Sequence, residues 1–302
     1  EFSKLDKHRV CGIKLFMGSS TGNMLVDKSN SLLNIFNGTD MLIATHCESQ
    51  EIIKKNTEYY KEMFRNAPEI PISKHPNIRS VAACYSSSQL AIRMASLAGA
   101  RLHVLHVSTA KELQLFSDAP LEDKHITAEA CIAHLLYRQQ DYKELGTRIK
   151  CNPSIKKQAD RDALRNAVNT GVIDVIATDH APHSAEEKSK GLAGSLMGVV
   201  GLETAFAKLY TDLVKPGILT LEKLLQLMHD NPSRRFHIGT PLEEGQPADL
   251  TAFNLNQSYK IDPAAFLSKG RSTPFAGDTV FGICKFTMVN GRFVWSENTI
   301  EK

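Results

Sequence analysis

The chain has 302 residues, with 36 Lys and Arg against 33 Asp and Glu and a net charge of +3. That length buries a sizeable core, which excludes a small module stapled by disulfides. The basic residues are scattered rather than gathered into a run, which argues against a nucleic-acid or membrane surface, and no apolar run approaches membrane-spanning length.

The N-terminus, EFSKLDKHRV, is charged where a signal peptide would be hydrophobic, and it lacks an initiator Met. The chain is therefore expected to begin inside a longer gene product. Its six cysteines, Cys11, Cys47, Cys84, Cys131, Cys151 and Cys284, are widely spaced and form no Cys-x-x-Cys pair. Free thiols and a cytoplasmic location are the expectation.

In chain order, CGIKLFMG, MLIATHCES, ARLHVLHVS, KHITAEAC and VIDVIATDH read as short buried strands. Helical patterns lie between them, at roughly 50–64, 88–97, 110–116 and 160–168. This alternation predicts a parallel α/β sheet with helical crossovers. Five strands are too few to close an eight-stranded barrel.

Beyond Gly201 the character changes. GLETAFAKLYTDLV and TLEKLLQLMHDNPSRRF predict two helices, the second capped by Thr220 and ending before Pro232. ADLTAFNL and CKFTMVNGRFVW then read as strands, with Asn290-Gly291 as a type I′ hairpin turn. The expected division is a main domain over residues 1–240 and a β-rich appendage over 241–302, packed as one unit.

Four strands end in, or pass through, residues suited to metal chemistry: Lys14 in GIKLF, His46 in ATHCE, His106 in VLHVS and Asp179 in ATDHAPH. In a parallel barrel the C-terminal strand ends converge on one mouth, so such residues can meet in space. Zinc favours imidazole and carboxylate, and a catalytic zinc site keeps one position open for water. Each residue also has an ordinary explanation, a core histidine or a turn aspartate, and it is their matching positions that carry weight. A lysine in an apolar strand must be paired, reach solvent, or lose its proton. In the last case it can react with carbon dioxide to give a carbamate able to bridge two metal ions.

The segments GIKLFMGSS, ATHCES, LHVLHVST, KCNPSIKK, ATDHAPHSAEEK and GVVGLETAF together resemble the dihydroorotases, cyclic amidohydrolases of the amidohydrolase superfamily. The resemblance runs from near Cys11 to about Trp295. Its most specific piece is DHAPH with Asn152-Pro153 upstream. Dihydropyrimidinases and hydantoinases share the Lys, His, His, Asp framework but usually differ after the aspartate.

The resemblance implies a (β/α)8 barrel of TIM type with a small β-rich C-terminal appendage. It implies two zinc ions bridged by carboxylated Lys14, with His46 and His106 on one ion and Asp179 at the other. An activated water would open the dihydroorotate ring to N-carbamoyl-aspartate, or the reverse cyclisation would serve pyrimidine biosynthesis. Asp179 would shuttle the proton. Asn152 and His183 would hold the substrate, and the backbone at Met197 and Gly198 would contact its ring. The implied partner is a small-molecule substrate, with no nucleic acid or membrane, and a homo-oligomer is left open.

One feature of those relatives is missing. Their His-x-His-x-Arg motif, which supplies two metal-binding histidines and a carboxylate-binding arginine, occurs nowhere here, and His103 and His106 in LHVLH have the wrong spacing. The expectation is therefore the C-terminal two-thirds of a dihydroorotase, lacking its first strands and unable to hold a complete binuclear centre alone. Two other readings stand beside it: a dihydropyrimidinase or hydantoinase, and a catalytically inactive dihydroorotase-like assembly partner. Ser19, Ser20, Thr21 and Gly22, next to the lysine strand, are given no role.

Overall fold

The computed structural model describes residues 2–17, 29–296 and 299–300; Ser19–Gly22 lie outside the described residues. Two compact units are present, one formed by residues 1–201 with 267–274, the other by 202–266 with 275–302.

In the first unit the strands β1 (Ile13–Met17), β2 (Ile43–Cys47), β3 (Leu102–Val104), β4 (Ile126–Cys131) and β5 (Val175–Ala177) form a parallel sheet in sequence order. All five are the expected strands. Ile43, Leu102, Ala128, Ala130 and Ile176 are buried, as a sheet covered by helical crossovers requires. This sheet and its helices fit an α/β barrel of TIM type.

The helix after β2 runs Gln50–Met63, capped by Ser49, whose hydroxyl accepts from the Ile52 amide. The next long helix, Val81–Ala98, begins seven residues before the expected start of the 88–97 pattern. Ser80 caps it by accepting from Ala83, and its first turn is Ala- and Cys-rich, too uniform to show a period of its own. It stops at Gly99, which takes the left-handed conformation (φ +63°) that lets the following chain turn into β3. The 110–116 pattern yields only one helical turn, Ala110–Leu113, and 160–168 extends to Gln158–Thr170. A further helix, Ser29–Asn37, is not expected from the sequence pattern described above.

In the second unit, β6 (Leu250–Lys260), β7 (Thr279–Val289), β8 (Arg292–Ser296) and β9 (Thr299–Ile300) form an antiparallel sheet. Asn290 and Gly291 both have positive φ (+48° and +76°), the geometry of the expected type I′ turn. Thr220 caps its helix by accepting from Lys223. Pro232, however, lies inside that helix rather than beyond it. Residues Gln226–Asp230 widen to π-type hydrogen bonding, so Pro232 falls in the first turn of the closing segment Asn231–Phe236, where its missing N–H needs no partner.

The base of the β4–β5 pair is held by a buried ion pair. The Lys124 ammonium donates to Asp174 Oδ1 (2.8 Å) and to the Gly171 carbonyl (2.6 Å), while Asp174 Oδ2 accepts from the Ala128 amide (2.9 Å). Burial pushes the Asp174 carboxyl upward, and Lys124 works against that shift. Removing one partner leaves the other as an uncompensated buried charge. Lys124→Met or Asp174→Leu alone is expected to lower unfolding stability in urea by about 3–5 kcal/mol, and the double replacement to recover most of that loss.

Candidate metal centre and active site

Adjacent parallel strands bring the candidate residues together at their C-terminal ends. Phe16 lies opposite His46 in the β1–β2 register, and the β2–β3 register pairs Thr45 with Val104. The Leu105 amide continues that ladder by donating to the Thr45 carbonyl (3.0 Å), so His46 and His106 emerge side by side. Their rings meet edge to face, with His46 Nδ1 and His106 Nε2 3.0 Å apart.

Both histidines are buried. Burial, and then the neighbouring His46 and Lys14, hold His106 well below the ordinary imidazole pKa, so it is neutral near pH 7. Two imidazole nitrogens brought this close could serve as two ligands of one divalent cation. The outer nitrogens, His46 Nε2 and His106 Nδ1, are buried without a hydrogen bond; His46 Nε2 lies 3.1 Å from Glu48 Oε2 but off the bonding direction.

His106 takes a left-handed backbone (φ +39°), as does Asp179 (φ +44°). Non-glycine residues held this way are strained, and the surrounding contacts must supply the difference. For His106 these contacts come from β4: its amide donates to Glu129 Oε1 (3.3 Å), and the Val107 amide donates to the Glu129 carbonyl (2.7 Å). Glu129 Oε2 also lies 3.4 Å from His103 Nε2. His103 itself is a core histidine, bonded through Nδ1 to the Thr127 hydroxyl (2.8 Å).

Lys14 is exposed, the solvent-reaching case among those open to a lysine in an apolar strand: it lies on the face of β1 opposite to the buried Leu15 and Met17. Its ammonium stands 4.9 Å over the Phe16 ring, and Phe16 in turn packs near His46. Partial burial lowers its pKa, against the opposing charges of Asp179 and Glu129. Asp179, just past β5, is pushed upward by burial and by Glu129, with Lys14 and His46 opposing. Lys14, His46, His106, Glu129 and Asp179 thus share one electrostatic neighbourhood. No group of three or more His, Cys, Asp or Glu side chains close enough to hold a metal occurs among the described residues. The residues present therefore fit a two-histidine part of a metal site, with an amine and a carboxylate nearby.

Glu48 is fully buried and bound to the Arg79 guanidinium. Burial raises its pKa, but Arg79 and His46 outweigh that and bring it to about 2. Glu48, Arg79 and Glu129 are absent from the sequence-derived set. The available signal was the same one that singled out Lys14, a charged residue within an apolar strand or at its end, as in TAEAC and THCES.

The remaining candidates lie in loops of the same unit. Asn152 Oδ1 is buried and has no hydrogen-bond partner. His183 Nε2 lies 3.0 Å from the Met197 carbonyl, so these two are brought into direct contact. Gly198 (φ +147°) crosses Ala181 so closely that a Cβ there would stand 2.5 Å from the Ala181 Cβ and carbonyl oxygen. Gly270, in the 267–274 segment, makes a similar approach to the backbone of His183. All six cysteines are free, and no helix among the described residues is long and apolar enough to cross a membrane.

Comparison with known proteins agrees with this architecture. The model of the Amidohydrolase family matches residues 31–294. A dihydroorotase of Bacillus cytotoxicus is 38% identical over 263 residues, which cover 86% of this chain and 59% of that protein. One of Halalkalibacterium halodurans is 39% identical over 266 residues, 87% of this chain and 60% of that protein. The chain thus spans 59–60% of the length of these curated relatives. Among solved structures, the L-hydantoinase (dihydropyrimidinase) of Arthrobacter aurescens superimposes with a TM-score of 0.88 at 27% identity, covering 97% of this chain and 66% of that one. The dihydroorotase of Saccharomyces cerevisiae in complex with 5-fluoroorotic acid gives 0.69 at 16% identity, covering 92% and 74%, a likeness of fold alone. With a family match across most of the chain and a parallel α/β sheet carrying histidines at its strand ends, the chain belongs to the amidohydrolase family.

Proposed function

We propose that this chain carries part of the active site of a zinc-dependent dihydroorotase, which interconverts dihydroorotate and N-carbamoyl-aspartate in pyrimidine biosynthesis. The observation that carries this reading is the convergence of His46 Nδ1 and His106 Nε2, beside Lys14 and Asp179, in a chain 36–39% identical to proteins called dihydroorotase. His46 and His106 would hold one zinc ion, with Lys14 and Asp179 contributing to a two-zinc centre that this chain alone does not complete. The chemistry such ions supply is polarisation of the ring amide carbonyl and a water acidic enough to attack it near neutral pH.

The chain's own residues do the rest. The depressed pKa of Lys14 enlarges its neutral fraction, and a neutral amine can add to carbon dioxide with loss of one proton, leaving a carbamate with two ligand oxygens. Asp179, with its raised pKa, is suited to take a proton from the attacking water and return it to the departing ring nitrogen. Asn152, with an unanswered buried acceptor, would bind a ring N–H. His183 would face the substrate carboxylate, and the backbone at Met197 and Gly198 would border the ring.

A second reading, hydrolysis of uncharged rings, is favoured by the likeness to the L-hydantoinase. The two separate on substrate: the full-length protein should turn over dihydroorotate and leave dihydrouracil essentially untouched, whereas the reverse preference would move the assignment to dihydropyrimidinase. Asp179→Asn should lower kcat by about 10²–10⁴ while zinc per chain stays unchanged; normal turnover would remove Asp179 from the proton path. Incubation with ¹³C-bicarbonate should give a carbamate carbon resonance that is lost in Lys14→Ala along with bound zinc.

A further inference from the structure

Lys188 and Lys150 are buried, yet no catalytic or binding step described above uses them. Lys188 closes the one-turn helix Ala185–Lys188, which Ser184 starts with a reciprocal cap to Glu187. Its ammonium donates to three backbone carbonyls, those of Lys150 (2.9 Å), Leu196 (3.1 Å) and Gly198 (2.8 Å). The Lys150 ammonium donates to the carbonyls of Leu192 (2.6 Å) and Ser195. Two ammonium groups thus gather four carbonyls from the short stretch 192–198, and a fifth from Lys150 itself. Burial brings both lysines down to about 8, which still leaves them charged at neutral pH.

The consequence concerns Met197. The residues on either side of it have their carbonyls held by Lys188, the Gly198 amide donates to the Lys150 carbonyl (2.9 Å), and the Leu196 amide donates to the Glu187 carbonyl (3.1 Å). The Gly198 amide is therefore not available as a donor to a ligand. The Met197 carbonyl faces His183 Nε2, which leaves the Met197 N–H as the backbone donor of this pair.

We propose that Lys188 is a positioning residue: by holding the carbonyls of Leu196 and Gly198 it aims the Met197 N–H at a ring carbonyl of the substrate. This rests on the reading that the 197–198 backbone borders the dihydroorotate ring. A strand-like segment with no side-chain anchor would sample many orientations, and fixing it beforehand removes an ordering cost from substrate binding. The effect belongs on ground-state binding rather than on the proton transfers that Asp179 would carry out.

The test compares Lys188→Met and Lys188→Arg in the full-length protein, reading steady-state kinetics with dihydroorotate, zinc per chain and amide hydrogen exchange. Lys188→Met should raise KM by roughly 10-fold or more, lower kcat by less than about 3-fold, and leave zinc content unchanged. Exchange should quicken across 195–199 and not in the strands, and Lys188→Arg should recover most of both effects. An unchanged KM with unchanged exchange would overturn the proposal, as would a general rise in exchange with loss of zinc, the signature of a merely structural lysine. If Lys188→Met yields no folded protein, Lys188→Gln, which keeps two donors without the charge, carries the same comparison. If the unmodified protein fails to turn over dihydroorotate, the dihydroorotase reading fails, and exchange alone decides the anchoring role: local quickening supports it and unaltered exchange refutes it.

Discussion

The register of β2 on β3 is the constraint from which the rest of the site follows. Pairing of Ile43, Ala44 and Thr45 with Leu102, His103 and Val104, continued by the Leu105 amide on the Thr45 carbonyl, places His46 and His106 on neighbouring strand ends. Because side chains alternate along a strand, a slip of one residue would turn His46 away from His106 and send Cys47 in its place. The 3.0 Å approach of the two ring nitrogens is thus a property of backbone pairing first and of histidine chemistry second.

That approach makes demands on the surroundings. His106 sits in a left-handed conformation that its side chain disfavours, and Glu129 on β4 secures it by accepting from the His106 amide. Glu48 pairs with Arg79 and stands beside the outer nitrogen of His46. These carboxylates act on the backbone and the outer edges of the rings, leaving the facing nitrogens to each other. The charge they bring also acts on the centre: Glu129 raises Asp179 and stabilises the protonated form of Lys14. The same carboxylate thus favours the protonated form of both groups.

Buried cations are handled in two ways elsewhere in this unit. Lys124 finds a carboxylate, Asp174, at the base of the sheet, where rigidity is the result. Lys150 and Lys188 find backbone carbonyls in a loop, so the chain is gathered around the charge instead of the charge being cancelled. Carbonyl oxygens carry only partial negative charge, so several are needed for each ammonium, and a segment of chain that would otherwise wander is ordered as a result.

The sequence by itself determined the five parallel strands, the place of Lys14 within the first of them and of His46, His106 and Asp179 at or just past the ends of others, and the Asn290-Gly291 turn. Each is written in local terms: apolar runs of strand length, a polar residue where such a run stops, and a dipeptide that tolerates positive φ. The tertiary structure decided the rest. Lys14 is exposed because the face of β1 that carries it is the open one while the face of Leu15 and Met17 is covered, and strand pattern alone does not say which face is covered. Pro232 is accommodated inside a helix because the preceding turn widens, a change of hydrogen-bond register invisible to residue type. Glu129 and Glu48 take partners 23 and 31 residues away in sequence, and Lys188 reaches the Lys150 carbonyl 38 residues away. No local pattern encodes such pairings, since they exist only once the sheet has brought distant chain segments within a hydrogen bond's length.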